Sequence, residues 1–169
     1  MSSSMTVRPA RVEDVEQMAR VNVRCWQETY RGLLPDALLD GPGFLAARQR
    51  FWTAVLTDVL HSVNRVAVAE RDGRLIGIAM SGPPLDRGAT WARQLYVLYV
   101  LKAEHGLGAG PALLEEVVPA EDSVALWVAD PNPRAQAFYR KHGFAADGAE
   151  QVDEGVREIR MVRNGRRGH

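Results

Sequence analysis

One short segment constrains this chain more than any other. His105-Gly106-Leu107-Gly108-Ala109-Gly110-Pro111 joins an apolar, β-rich run, Leu95–Leu101, to the helix-forming Ala112-Leu113-Leu114-Glu115-Glu116-Val117-Val118. A strand that passes through glycines into a helix gathers free backbone N–H groups and the positive end of a helix dipole at one point. Glycines let a ligand approach that backbone closely, and a proline in the first helical turn removes only an amide the helix does not need. The expected occupant is a phosphate or pyrophosphate; with no ligand, the same letters make a tight strand-to-helix connection. Two phosphate-binding patterns fail on the letters. No Gly-Lys-Ser/Thr follows, as a nucleoside-triphosphate loop requires, and G-x-G-x-x-G meets Pro111 from Gly106 and Leu113 from Gly108. Asp130 mimics the ribose-binding acid of a dinucleotide fold, but this turn follows a late strand rather than opening the first βαβ unit.

The rest of the chain reads as one domain. Its 169 residues, 46% hydrophobic and 25% charged, supply a conventional core, and we expect a single domain over residues 5–163 with flexible termini at 1–4 and 164–169. Twenty-one Lys plus Arg balance twenty-one Asp plus Glu, so no global field draws the protein to nucleic acid or anionic lipid. A single cysteine, Cys25, cannot close an internal disulfide, and the opening Met-Ser-Ser-Ser-Met lacks the regions of a signal peptide. Together these predict a soluble cytoplasmic protein, monomer or homodimer, with no membrane segment. His61, His105, His142 and His169 are scattered without metal-ligand spacing, so no metal is expected.

Periodicity gives the element order. Thr6–Pro9 reads as a strand, and Val15, Met18, Ala19, Asn22, Cys25, Trp26 and Thr29 recur at helical spacing up to Gly32. A short helix ending at Leu39, a break at Gly41-Pro42-Gly43, and a helix over Phe44–Leu60 follow. Leu45, Arg48, Trp52, Val55 and Val59 share roughly one face of that helix. Arg65–Glu70 and Leu75–Met80 flank Asp72-Gly73, a strong hairpin signal. Trp91–Leu101 predicts a strand, Gly110–Val118 a helix, Ser123–Ala129 a strand and Asn132–His142 a helix, and the strands Phe144–Ala146 and Arg157–Val162 close the chain. The class is α/β: antiparallel hairpins, then a βαβ unit from Trp91 to Ala129 that should be parallel and right-handed. Ligands in such sheets bind beyond the carboxyl ends of the parallel strands, here Leu101 and Ala129.

At these residues the chain resembles a known family. Leu98-Tyr99-Val100-Leu101 followed by His105-Gly106-Leu107-Gly108-Ala109-Gly110-Pro111 is similar to the acetyl-CoA signature of the GNAT superfamily of N-acetyltransferases, Gln/Arg-x-x-Gly-x-Gly/Ala. His105 departs from it, standing where Gln or Arg is usual. Asn132-Pro133-Arg134-Ala135 through Tyr139 to Gly143-Phe144 resembles the family's second cofactor motif, N-x-x-A-x-x-x-Y-x-x-x-G-F. The resemblance implies a GNAT-like acyl-CoA N-acyltransferase fold: a mixed central sheet, flanked by helices, whose parallel strand pair splays to admit pantetheine. It implies acetyl-CoA as donor and CoA as product. Leu98, Tyr99 and Val100 would offer strand backbone to the arm, and His105, Gly106, Leu107, Gly108, Ala109, Gly110 and Pro111 would hold the pyrophosphate. Asn132 would reach the cofactor arm, and Tyr139 would lie near the sulfur.

The chemistry suits such positions. Acyl transfer from a thioester needs a neutral amine, a polarised carbonyl and a proton for the departing thiolate. A strand amide near Tyr99 or Val100 would stabilise the oxyanion, and Tyr139 would protonate the thiolate at an uphill cost of roughly 2 kcal/mol. The alternative for Tyr139 is a core aromatic on an amphipathic helix. The strand Trp91–Leu101 carries no acid to act as base. Glu28, beside Trp26 and Tyr30 on the first helix, is the candidate base, and these three form the candidate acceptor site; an exposed helix carboxylate is the plain alternative, and Asp86 a second candidate. The expected activity is acetyl transfer from acetyl-CoA to a primary amine of a small molecule or protein by direct attack in a ternary complex. The alternative is a catalytically weak CoA-binding sensor or interaction module.

Overall fold

Asp72 and Gly73 adopt positive φ, 54° and 75°, as a tight two-residue hairpin turn requires. They join β2 (Arg65–Arg71) to β3 (Arg74–Gly82), and β1 (Met5–Pro9) adds antiparallel to β2, with Val7 opposite Ala69. The remaining strands are β4 (Arg93–Val100), β5 (Val124–Ala129), β6 (Ala145–Asp153) and β7 (Val156–Arg163). They form one open, mixed seven-stranded sheet in the order β1-β2-β3-β4-β5-β7-β6. β4 and β5 are its parallel pair, registered from Arg93 opposite Val124 to Leu95 opposite Leu126. The computed structural model describes residues 4–166. Most of the termini expected to be flexible, together with Arg167 and His169, lie outside them. Within them, the Arg166 N–H donates to Ala120 O at 2.8 Å.

By its contacts the chain divides into two units, Met1–Ser81 with Val97–Val117, and Gly82–Tyr96 with Val118–His169. The first unit carries α1 (Val15–Tyr30), α2 (Asp36–Asp40), α3 (Pro42–Thr57) and α4 (Ala109–Val117). α1 buries Met18, Ala19, Val21, Asn22 and Cys25 at helical spacing and packs on α3. Trp52, on the face expected to be shared with Val55, is fully buried, and its indole Nε1 donates to Asn22 Oδ1 at 3.0 Å. The expected break falls at Gly41, whose extended backbone ends α2, but α3 restarts at Pro42 rather than Phe44, with Gly41 as N-cap and Pro42 in the first turn, where proline is tolerated. Val59 is 78% exposed rather than on the buried face. The helix stops at Thr57 because Asp58 leaves helical geometry and its carboxylate accepts from Leu60 N–H at 2.9 Å.

In the second unit β5 pairs antiparallel with β7, and α5 (Pro133–Lys141) follows β5. β6 runs well beyond the expected Phe144–Ala146. Its extension over Glu150–Asp153 is exposed on both faces, so it lacks apolar alternation; the backbone ladder to β7 and a Glu154-Gly155 turn with φ of 51° and 83° hold it.

Candidate functional site

The glycine turn adopts a geometry that its glycines allow. Gly106 and Gly108 take φ of 81° and 98°, a region that L side chains rarely enter, and a Cβ built on either would meet nothing within 4 Å. The backbone therefore stands open to solvent there while the helix behind it is anchored. Ala109, Leu113, Leu114 and Val117 are buried, α4 packs on β1 and β2, and the buried Ser81 hydroxyl donates to Val117 O at 2.6 Å. The first N–H groups of such a helix have no intrahelical partner and point into the turn. Leu107, at the tip, is 59% exposed.

Gly77, which the strand pattern conceals, makes this close packing possible. A Cβ on it would lie 2.9 Å from Leu113 Cδ1, 3.1 Å from Tyr99 O and 3.3 Å from Val100 Cγ2. An isolated glycine inside an apolar strand was the available signal, since it commonly marks close approach of another backbone. Val97–Val100, the outer half of β4, stay only partly buried although they read as core. The His105 imidazole Nε2 meets Val100 O at 2.9 Å, so the residue standing in the Gln/Arg place ties the turn back to the strand end. Its Nδ1 is buried without a hydrogen-bond partner.

The first unit also brings the candidate acceptor residues to the end of β4. Trp26 Nε1 donates to Tyr99 Oη at 3.0 Å across 73 residues of sequence. Glu28 Oε1 accepts from Lys102 N–H at 3.0 Å, one residue past Leu101, with Arg24 3.6 Å from its other oxygen. Tyr30 and Phe44 both pack edge-on to the Trp26 ring, at 4.7 and 5.5 Å between centroids. Cys25 does not join this chemistry, because burial pushes its thiol up to about 12 and leaves no thiolate at neutral pH.

In the second unit Asn132 caps α5, its Oδ1 accepting from Ala135 N–H at 3.3 Å. Tyr139 is buried on that helix, edge-on to Phe138 and Phe144 at 5.4 and 5.5 Å. Asp86, the second candidate base, is held by Trp127 Nε1 at 3.1 Å and by Arg160 at 3.4 Å. Trp91 lies against the same arginine, 4.7 Å from ring centroid to guanidinium carbon. Among the described residues no helix is long and apolar enough to cross a membrane.

A family model for the acetyltransferase (GNAT) domain matches residues 46–164, which take in β2 to β7 and both glycine-bearing motifs. The chain belongs to the GNAT family of acetyltransferases. This acetyltransferase is 29% identical over 164 residues to the uncharacterized N-acetyltransferase YuaI of Bacillus subtilis, covering 94% of this chain and 88% of that one. It is 30% identical over 156 residues to the probable N-acetyltransferase Rv2775 of Mycobacterium tuberculosis, covering 86% and 83%. Among solved structures, the PaiA N-acetyltransferase of Thermoplasma acidophilum in complex with coenzyme A superposes with a TM-score of 0.73 at 20% identity, over 95% of this chain and 99% of that one. That likeness extends to the fold.

Proposed function

We propose that this acetyltransferase moves an acetyl group from acetyl-CoA to a primary amine by direct attack in a ternary complex. The observation that carries the reading is the open glycine turn at the head of α4, with Gly106 and Gly108 at positive φ and nothing within 4 Å of a built Cβ. Such a cradle fits a pyrophosphate, because backbone N–H groups and the helix dipole favour an anion where side chains would obstruct it. The coenzyme A complex of the PaiA protein supports the same donor class.

Acetyl-CoA, when bound, supplies an acyl group activated as a thioester. Residues 105–111 would hold its phosphates, and the backbone of Leu98, Tyr99 and Val100, with Asn132, would orient its arm. A backbone amide of outer β4 would stabilise the carbonyl oxygen as charge develops on it. Tyr139 would give its hydroxyl proton to the thiolate that leaves as the amine takes the acetyl group. Glu28 would accept the proton the amine must lose, directly or through water. Trp26 and Tyr30 would line the acceptor site. Soluble cytoplasmic placement and a single catalytic domain over residues 5–163 belong to the same reading.

Calorimetric titration with acetyl-CoA, CoA and NADH side by side tests it. Micromolar binding of the CoA species alone is expected. No CoA binding, or preference for NADH, would overturn the reading.

A further inference from the structure

The seam between α1 and α3 carries two buried donor groups without acceptors. Asn22 is 1% exposed and spends its Oδ1 on the Trp52 indole, while its Nδ2 has no partner. Arg48 Nε is likewise buried and unpartnered, and among the described residues Arg48 forms no ion pair. Its guanidinium rests on the Phe51 ring, 4.8 Å from the centroid. Buried polar atoms are overwhelmingly hydrogen-bonded in folded proteins, so two orphan donors on one seam call for an acceptor.

The helix contacts locate that seam relative to the acceptor residues. Phe44 of α3 meets Trp26 of α1, and Trp52 of α3 meets Asn22 of α1. Positions 44, 48 and 52 follow one another at four-residue spacing along one side of α3, and 22 and 26 do so on α1. Arg48 therefore sits between the level of the Trp26–Phe44 pair and that of the Asn22–Trp52 pair. Trp26 in turn bonds Tyr99 at the end of β4, and Glu28, two positions along α1, bonds Lys102 N–H. An aromatic cluster thus has an unpaired guanidinium on one flank and a carboxylate close by in sequence on the other.

We propose that the acceptor amine carries a carboxylate as well, as an apolar or aromatic α-amino acid does, and that Arg48 holds that carboxylate. The inference rests on the amine-acetyltransferase reading above and names its substrate class. The planar guanidinium matches a carboxylate in fork geometry, and a single arginine balances one negative charge rather than the two of a phosphate monoester. Asn22 Nδ2 is a second donor on the same seam, and the Trp26, Tyr30 and Phe44 rings would take the apolar side chain.

The test compares matched acceptors that differ only in the carboxylate: L-phenylalanine with 2-phenylethylamine, and L-leucine with 3-methylbutylamine. Acetyl transfer is followed for the wild type, Arg48→Met and Arg48→Lys, with thermal melts to confirm that each variant is folded. L-phenylalanine binding to the protein without acetyl-CoA is titrated alongside. The wild type is expected to favour the carboxylated member by roughly tenfold to a hundredfold in kcat/KM. Arg48→Met should bring that ratio close to one and weaken L-phenylalanine binding by a similar factor, with Arg48→Lys in between. Because amine basicity is common to all three proteins, it cancels from the change in ratio. A wild-type ratio near one, or a ratio that Arg48→Met leaves unaltered, overturns the inference while leaving the acetyltransferase reading intact. Failure of every amine together with failure to bind CoA overturns that reading and the inference with it.

Discussion

Replacing Gly77 by alanine adds one methyl group at a position where three atoms already crowd the built Cβ. The nearest, Leu113 Cδ1 at 2.9 Å, is the end of a side chain, but Leu113 is fully buried in α4 and has little room to turn. The second, Tyr99 O at 3.1 Å, is backbone of the neighbouring strand. Overpacking of this kind costs about 1–3 kcal/mol. Gly77 has no positive φ, so alanine is not strained there and regains about 0.4–1 kcal/mol by stiffening the unfolded chain. The net expectation is a loss of about 1–2 kcal/mol. In a chain of this size that lowers Tm by about 3–6 °C. Gly43→Ala is the matched control. Gly43 lies in the first turn of α3 with nothing within 4 Å of its Cβ, so the same chemical change should raise Tm by about 1–3 °C. Thermal denaturation followed by circular dichroism reads both variants. A Gly77→Ala protein as stable as the wild type, or two variants shifted in the same direction, would refute the packing argument.

Further expectations concern the site and the acid limb of stability. Tyr139→Phe should lower kcat by about a hundredfold, within the range of general-acid contributions, and change CoA affinity far less; equal loss of both in steady-state kinetics and calorimetry would leave Tyr139 a binding residue only. Gly108→Val places a branched side chain at φ 98°, in open space that the pyrophosphate would need, so CoA binding should vanish; unaltered affinity in a folded variant removes the turn as the phosphate site. Asp14 is held below the usual carboxylate range, chiefly by its hydrogen bonds from Arg8 at 2.8 and 2.9 Å. A depressed folded-state pKa stabilises the protein above the unfolded value of about 3.9 and is lost as pH falls through the folded one. Urea unfolding of Asp14→Asn should show lower stability at pH 7 and a flatter decline below about pH 4, and identical acid limbs would count against the pairing.

What could be read from the letters was whatever local backbone chemistry dictates. Asp72-Gly73 between two β-rich runs favours positive φ, and the glycines at 106 and 108 permit it at no steric cost, so the hairpin and the glycine turn were legible without tertiary information. The helical spacing from Val15 to Thr29 and the strand-to-helix passage at Leu101–Ala112 were legible for the same reason, and the order of the two glycine-bearing motifs pointed to the family. The β6 extension escaped because a strand exposed on both faces has no apolar alternation to betray it.

Tertiary structure decided which distant residues meet. Glu28 reaches Lys102 N–H across 74 residues, and Trp26 reaches Tyr99 across 73, because α1 comes to the end of β4 in the first unit. Arg48 reads as one more member of an amphipathic stripe until the Trp26–Phe44 and Asn22–Trp52 contacts put it on a seam with no acceptor. Trp26 and Trp91 are alike as letters, yet one joins the β4 end and the other a stack with Arg160. Periodicity specifies which face of an element is buried; which side chains that face meets depends on the packing of elements far apart in sequence, and that information appears only once the chain has folded.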